Sequence, residues 1–122
     1  YFNLIGLKQT SCDFFESSLT FNKSKTNMLV SQWGVTCAKG RYFTANDTIN
    51  ADALAADLGM PLFIKPSRSG SSYGVTRVNS VSQISSAIAE AKKEDAEIVA
   101  EAAVIGTEVG CGVARKRRPV FF

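Results

Sequence analysis

Apolar and polar residues alternate along this chain with two different periods. In "VSQISSAIAEAKK" (81–93), Val81, Ile84, Ala87, Ile88 and Ala91 recur at helical spacing and share one face, with Ser80 just ahead of them. "NADALAADLG" (50–59) predicts a second helix, with Asn50 as cap and Gly59 as stop. Between 19 and 33, Met28, Leu29 and Trp33 fit one helical face; Gly34 ends the pattern, and Ser17 or Ser18 is placed to cap it. Other runs have strand character. "AKGRYFT" (38–44) is short, and "PLFIK" (61–65) is continuously apolar and reads as buried on both faces. "YGVTRV" (73–78) alternates, and "EIVAEAAV" (97–104) is a further strand. "EVGCGVAR" (108–115) and "PVFF" (119–122) suggest two more strands joined by the basic turn "RKRR". Strands joined by short loops pair antiparallel, so the order of elements predicts an α+β fold, a small antiparallel sheet packed with helices, over a doubly wound parallel one.

Composition narrows the class. With 122 residues, 45% of them hydrophobic and 20% charged, the chain can bury one modest core. The net charge of +3 is mild, and much of it sits in "RKRR" at 115–118. That run, with Arg41 and Tyr42, offers no stacking platform and reads as a solvated turn, so no nucleic-acid partner is expected. No apolar block approaches the ~20 residues that span a bilayer, and no membrane partner is expected. "YFNLIGLKQ" is not built like a signal peptide and starts abruptly in apolar sequence. The chain is therefore expected to be a piece of something longer, with 1–18 the tail of a preceding domain plus linker and 19–122 the main unit. Cys12, Cys37 and Cys111 are scattered and there is no histidine, which fits free thiols in a reducing cytosol better than a zinc site.

Candidate chemistry lies in two places. "KPSRSGSSYGV" (65–75) sets two cations, two glycines and four serines behind an apolar strand. Backbone N–H groups in such a turn, with serine hydroxyls, form an anion-binding concavity. The Walker pattern is absent, because Lys65 precedes the loop and the loop joins two strands. On the loop alone, a polar hairpin with a solvated lysine is an equal alternative. In "EIVAEAAVIGTEVG" (97–110), Glu101 and Glu108 bracket an apolar segment. One could accept from an exocyclic amine and the other from ribose hydroxyls, or both could be exposed strand-end glutamates.

Taken together, "FNK" (21–23), "LGMPLFIKPSRSGSSYGVTRV" (58–78) and "IVAEAAVIGTEVGCGVA" (98–114) resemble, in order and spacing, the central ATP-binding domain of the ATP-grasp superfamily. The likeness is to the D-alanine–D-alanine ligases and most of all to the D-alanine–D-lactate ligases of vancomycin resistance. It rests on "RSGSSYGVTRVN" and "EVGCGVA" and covers nearly the whole chain. It implies ATP as cofactor, with Lys23 and Lys65 as phosphate contacts and Lys65 also touching adenine. Gly70, Ser71, Ser72, Tyr73 and Gly74 match the loop over the triphosphate, and Ser71 also the organisation of the amino-acid site. Glu101 matches the acceptor of the adenine amine, Ala102 and Val104 the backbone contacts to adenine, and Glu108 the ribose acid. The resemblance further implies D-alanine as substrate and an acyl phosphate intermediate. It implies a cytoplasmic homodimer as the intact enzyme, and Mg2+ held by residues outside this chain. Asn22 stands where the family usually has aspartate, and Asn27 where many members have a second lysine.

Overall fold

The computed structural model describes residues 1–2 and 4–112. The elements, in order, are helices α1 (Phe14–Phe21) and α2 (Lys23–Gln32), strand β1 (Gly40–Phe43) and helix α3 (Ala51–Leu58). Strands β2 (Leu62–Pro66) and β3 (Thr76–Val78), a 3-10 turn (Val81–Gln83), helix α4 (Ile84–Glu94) and strand β4 (Ile98–Ala102) follow. The strands form one antiparallel sheet in the order β1-β4-β2-β3. The α+β expectation holds.

The core lies on one face of this sheet. Leu62, Ile64, Val78, Ile98 and Ala100 point down from the strands and meet Ile84, Ala87 and Ala91 of α4 and Leu54 and Leu58 of α3. The helical stripe read from 81–93 is therefore the buried one, except that Val81 is exposed in the 3-10 turn. Ser80 and Gln83 form a reciprocal capping box there, which tightens the entry to α4. Asn50 caps α3 by accepting from the Ala53 N–H at 2.9 Å, and Gly59 leaves it with φ +76°.

Several boundaries differ from the pattern. The apolar run of β2 alternates between fully and partly buried residues instead of being buried on both faces, because α3 and α4 pack on one side of the antiparallel sheet while α2 reaches only part of the other. The stretch 19–33 is two helices, not one. Asn22 takes an extended conformation (φ −91°, ψ 101°), ends α1 and caps α2 through its side chain. The first helix begins at Phe14, ahead of the serines expected to cap it. Met28 and Trp33 are exposed, Trp33 by 72%, so that face is not part of the core. Strand β3 starts at Thr76, since Tyr73–Val75 belong to turns closed on Gly70 and Ser72. Residues 108–112 form no strand, and the strand expected at 119–122 lies outside the described residues.

One buried cluster ties the loop after β2 to the end of α4. The Asp95 side chain, 5% exposed, accepts from the Arg68 backbone N–H at 2.8 Å and from its guanidinium at 2.8 and 3.1 Å. The Ser67 N–H donates to the Glu97 carbonyl at 2.8 Å. Burial disfavours the Asp95 carboxylate, but the hydrogen bonds from Arg68 and the Glu97 N–H outweigh it and hold its pKa below the ordinary aspartate value. A carboxyl depressed in the folded state stabilises above its unfolded pKa, and that contribution is lost as pH falls through the folded one. Asp95→Asn is expected to cost about 1–2 kcal/mol at pH 7 by urea denaturation. The gap to the wild type should close as the pH drops below about 4, the unfolded aspartate pKa. A gap that does not change with pH would show that the charge contributes nothing.

Candidate functional site

Strand alternation sends Leu62 and Ile64 into the core and turns Phe63 and Lys65 to the other face. In β4 the same rule turns Val99 and Glu101 to that face. The register pairs Phe63 with Glu101 and Lys65 with Val99, so Lys65 and Glu101 are diagonal neighbours within reach of each other. The Lys65 ammonium meets Glu101 Oε2 at 2.5 Å, with the side chains 22% and 11% exposed. Neither is the solvated strand-end residue of the blander sequence reading. Helix α2 closes the third side: Asn27 Nδ2 donates to Glu101 Oε1 at 2.7 Å.

Lys23, the first residue of α2, points its ammonium at the Ser69 carbonyl at 2.6 Å, and its backbone N–H donates to the Ser67 carbonyl at 2.9 Å. The helix start is pinned by a buried hydroxyl network. Ser67 Oγ donates to Asn22 Oδ1 at 2.8 Å and accepts from the Ser24 N–H at 3.2 Å. Asn22 Oδ1 also accepts from the Lys25 N–H at 3.1 Å, so the cap needs an acceptor here but no negative charge.

Lys23, Lys65, Asn27 and Glu101 line a cleft of 280 Å³, together with Cys37 and Ala38. It sets two ammonium groups against one carboxylate, which favours an anion. Burial and then the neighbouring Lys65 charge lower the Lys23 pKa, opposed by Asp95 and Glu101. Burial and Glu101 raise that of Tyr42, while a hydrogen bond from Asn27 works the other way.

A second cleft of 530 Å³ shares Ala38 and Glu101 with the first and is lined by Phe63, Ala102, Val104 and Glu108. Here β4 ends at Ala102. The Ala102 N–H turns to the Lys39 carbonyl and the Ala103 N–H to the Pro61 carbonyl, which leads the chain off the sheet. Glu108 thus reaches the cleft from irregular backbone and not from a strand. Glu101 sits where the two clefts meet. Gly40 makes room for it, since a methyl group there would lie 3.3 Å from Glu101 Cγ.

The loop residues Gly70, Ser71, Ser72, Tyr73 and Gly74 line neither cleft. They are tethered to it through Ser69, whose carbonyl holds Lys23. Ser71 and Ser72 have φ of +49° and +61°, and Tyr73 is 67% exposed. Gly74 has φ +68° and lies against Pro66 and Glu94, where a methyl would come within 3.1–3.2 Å. Sequence reasoning missed Asn27 as a partner of Glu101; its one signal was the departure from lysine. It also missed Ser67 and Asp95, for which the linear pattern holds no signal. A separate cleft of 210 Å³ contains Arg41 and Asp57, where Asp57 already pairs with Arg41 and Lys39.

Among the described residues, no three His, Cys, Asp or Glu side chains converge as metal ligands. These residues do not fit a metal centre of their own. Among them, too, no helix is long and apolar enough to cross a membrane.

Residues 28–121 match the family model described as D-ala D-ala ligase C-terminus. A D-alanine–D-alanine ligase of Flavobacterium johnsoniae is 42% identical over 93% of this chain and 35% of its own length. One from Parabacteroides distasonis is 42% identical over 92% of this chain and 34% of its own length. The chain thus spans about a third of the curated relatives it matches. Among solved structures, the VanG D-Ala:D-Ser ligase of Enterococcus faecalis superposes with a TM-score of 0.75 at 35% identity, covering 86% of this chain and 31% of that one. The D-alanine–D-alanine ligase of Bacillus anthracis gives 0.79 at 25% identity, covering 86% and 34%. The antiparallel sheet, the paired clefts around Glu101 and these matches lead to one conclusion: the chain belongs to the D-alanine–D-alanine ligase family and has the ATP-grasp fold of that family's structures.

Proposed function

We propose that this chain grips ATP for a ligase that joins D-alanine to a second D-configured substrate, alanine, lactate or serine, for cell-wall precursor synthesis. The observation that carries the reading is the meeting of two clefts at Glu101. One is lined by Lys23 and Lys65, the other by Ala102, Val104 and Glu108. The first suits a polyphosphate, since ammonium groups form strong charge-assisted bonds to phosphate oxygens. The second suits a nucleoside. Glu101 accepts from the adenine amine, the backbone at Ala102 and Val104 reads the base edge, and Glu108 accepts from the ribose hydroxyls.

The 70–74 loop folds over the phosphates, and Ser71 helps organise the amino-acid site. Residues 1–18 end a preceding domain and 19–122 form the central subdomain. The whole enzyme is a cytoplasmic homodimer. It phosphorylates the D-alanine carboxylate, and the second substrate then displaces phosphate from the acyl phosphate. Magnesium supplies charge neutralisation when bound, from ligands beyond this chain. A lactate or serine acceptor would make the product one that confers glycopeptide resistance. The VanG D-Ala:D-Ser ligase among the structural relatives supports including serine.

Three outcomes test this reading. Guanine presents a carbonyl where adenine has its amine, so GTP would face Glu101 acceptor to acceptor. Calorimetric titration should show ATP bound more tightly than GTP by on the order of a few kcal/mol. Equal affinities would exclude the adenine assignment.

Lys65→Ala should weaken ATP binding by roughly 1.5–3 kcal/mol, as for the loss of a hydrogen bond to a charged group. The sequence alone suggests little change in stability, as for an exposed lysine. The ion pair adds a stability cost, because the variant leaves the buried Glu101 carboxylate without its cation. Normal ATP affinity in folded Lys65→Ala would mean that Lys65 serves the fold only.

Finally, the 122-residue chain alone, given ATP, magnesium, D-alanine and each acceptor, should release phosphate and form product no faster than background. Its described residues position charge but assemble no metal ligands for in-line transfer. Sustained turnover by homogeneous material would place the catalytic set within the chain.

A further inference from the structure

We propose that Asn27 is a positioning residue that sets base selectivity by fixing the orientation of the Glu101 carboxylate. The inference rests on the adenine reading of Glu101 given above.

A glutamate side chain turns about three bonds, so its position on β4 does not by itself aim the carboxylate. Two groups hold it, and they differ in kind. Lys65 holds Oε2 with an ammonium, a compact point charge whose three donors can follow the carboxylate through a rotation. Asn27 holds Oε1 with a planar amide, and facing a carboxylate only its N–H can serve. The direction of that bond is set by the backbone of α2, and α2 is pinned at its start by the Asn22–Ser24–Ser67 network.

The surroundings reinforce the aim. The Asn27 amide also donates to Tyr42, and Gly40 leaves the space that the Glu101 stem occupies. Oε1 keeps a second lone pair when Asn27 uses one, so it can still accept from an exocyclic amine at the junction of the clefts. Asn27 also does this without adding charge. A phosphate entering the first cleft draws on Lys65, and Asn27 is then the group that keeps Glu101 in place.

The test compares ATP, inosine triphosphate and inorganic tripolyphosphate as ligands of the full chain, by calorimetry. Inosine triphosphate replaces the amine by a carbonyl, and tripolyphosphate has no base. Wild type should prefer ATP over inosine triphosphate. In Asn27→Leu and in the isosteric Asn27→Asp, neither of which can donate to Glu101 at pH 7, that ratio should fall about five- to tenfold, the worth of one hydrogen bond. Tripolyphosphate has no base to read, so its affinity should fall by less in Asn27→Leu than that of ATP. Asn27→Gln, which keeps the donor, should retain more of the preference than either.

A merely structural role would lower all three affinities together and leave the ratio intact, and that result in a folded variant would overturn the proposal. Absence of any wild-type preference between the two nucleotides would overturn the adenine reading as well. A wild-type preference that survives both substitutions would overturn only the role of Asn27.

Discussion

The ion pair between Lys65 and Glu101 is the interaction on which the site depends. It exists because β2 and β4 are antiparallel neighbours in a register that sets the two residues on one diagonal, on the face that α3 and α4 leave open. Largely shielded from solvent, it holds a cation at the first cleft without leaving that charge uncompensated. A buried pair of this kind adds little net stability, since desolvation offsets the attraction, yet losing one partner strands the other. Its value here is geometric: one carboxylate faces both clefts and one ammonium enters the first.

The rest of the fold supplies walls for that pair. Helix α2 arrives at the correct height because Asn22 breaks the preceding helix and its side chain, with Ser24, meets Ser67 at the end of β2. The loop after Ser67 is then held from below by Asp95 on Arg68 and from the side by Lys23 on the Ser69 carbonyl. The segment 70–74 is left exposed at the end of a rigid stem, with two serines in left-handed backbone. Such placement suits a segment that closes over a ligand while its anchors stay still.

Much of this was legible in the linear pattern. The α4 stripe, the Asn50 cap and the Gly59 stop are local signals, and local physics decides them. Lys65, Glu101 and Glu108 were legible as candidates because charged residues flank apolar strands there, and the family resemblance set them in register. The errors arose where tertiary context overrides the local period. Nothing in the linear pattern tells which face of an apolar run such as "PLFIK" is covered. Met28 and Trp33 keep helical spacing but have no core to meet, and the break at Asn22 depends on Ser67, far along the chain. The role of Asn27 depends on a partner 74 positions away, which spacing alone cannot reveal.

The central claim is that the cleft between α2, β2 and β4 receives the phosphates while the adjoining cleft receives the base. The most direct measurement is an NMR titration of the isotopically labelled chain with ATP, following backbone amides and lysine side-chain ammonium groups. The account predicts perturbations that converge on Lys23, Lys65, Asn27, Glu101 and the segment from Ala102 to Glu108. Perturbations centred instead on Arg41, Asn50 and Asp57, or none at millimolar ATP, would contradict it.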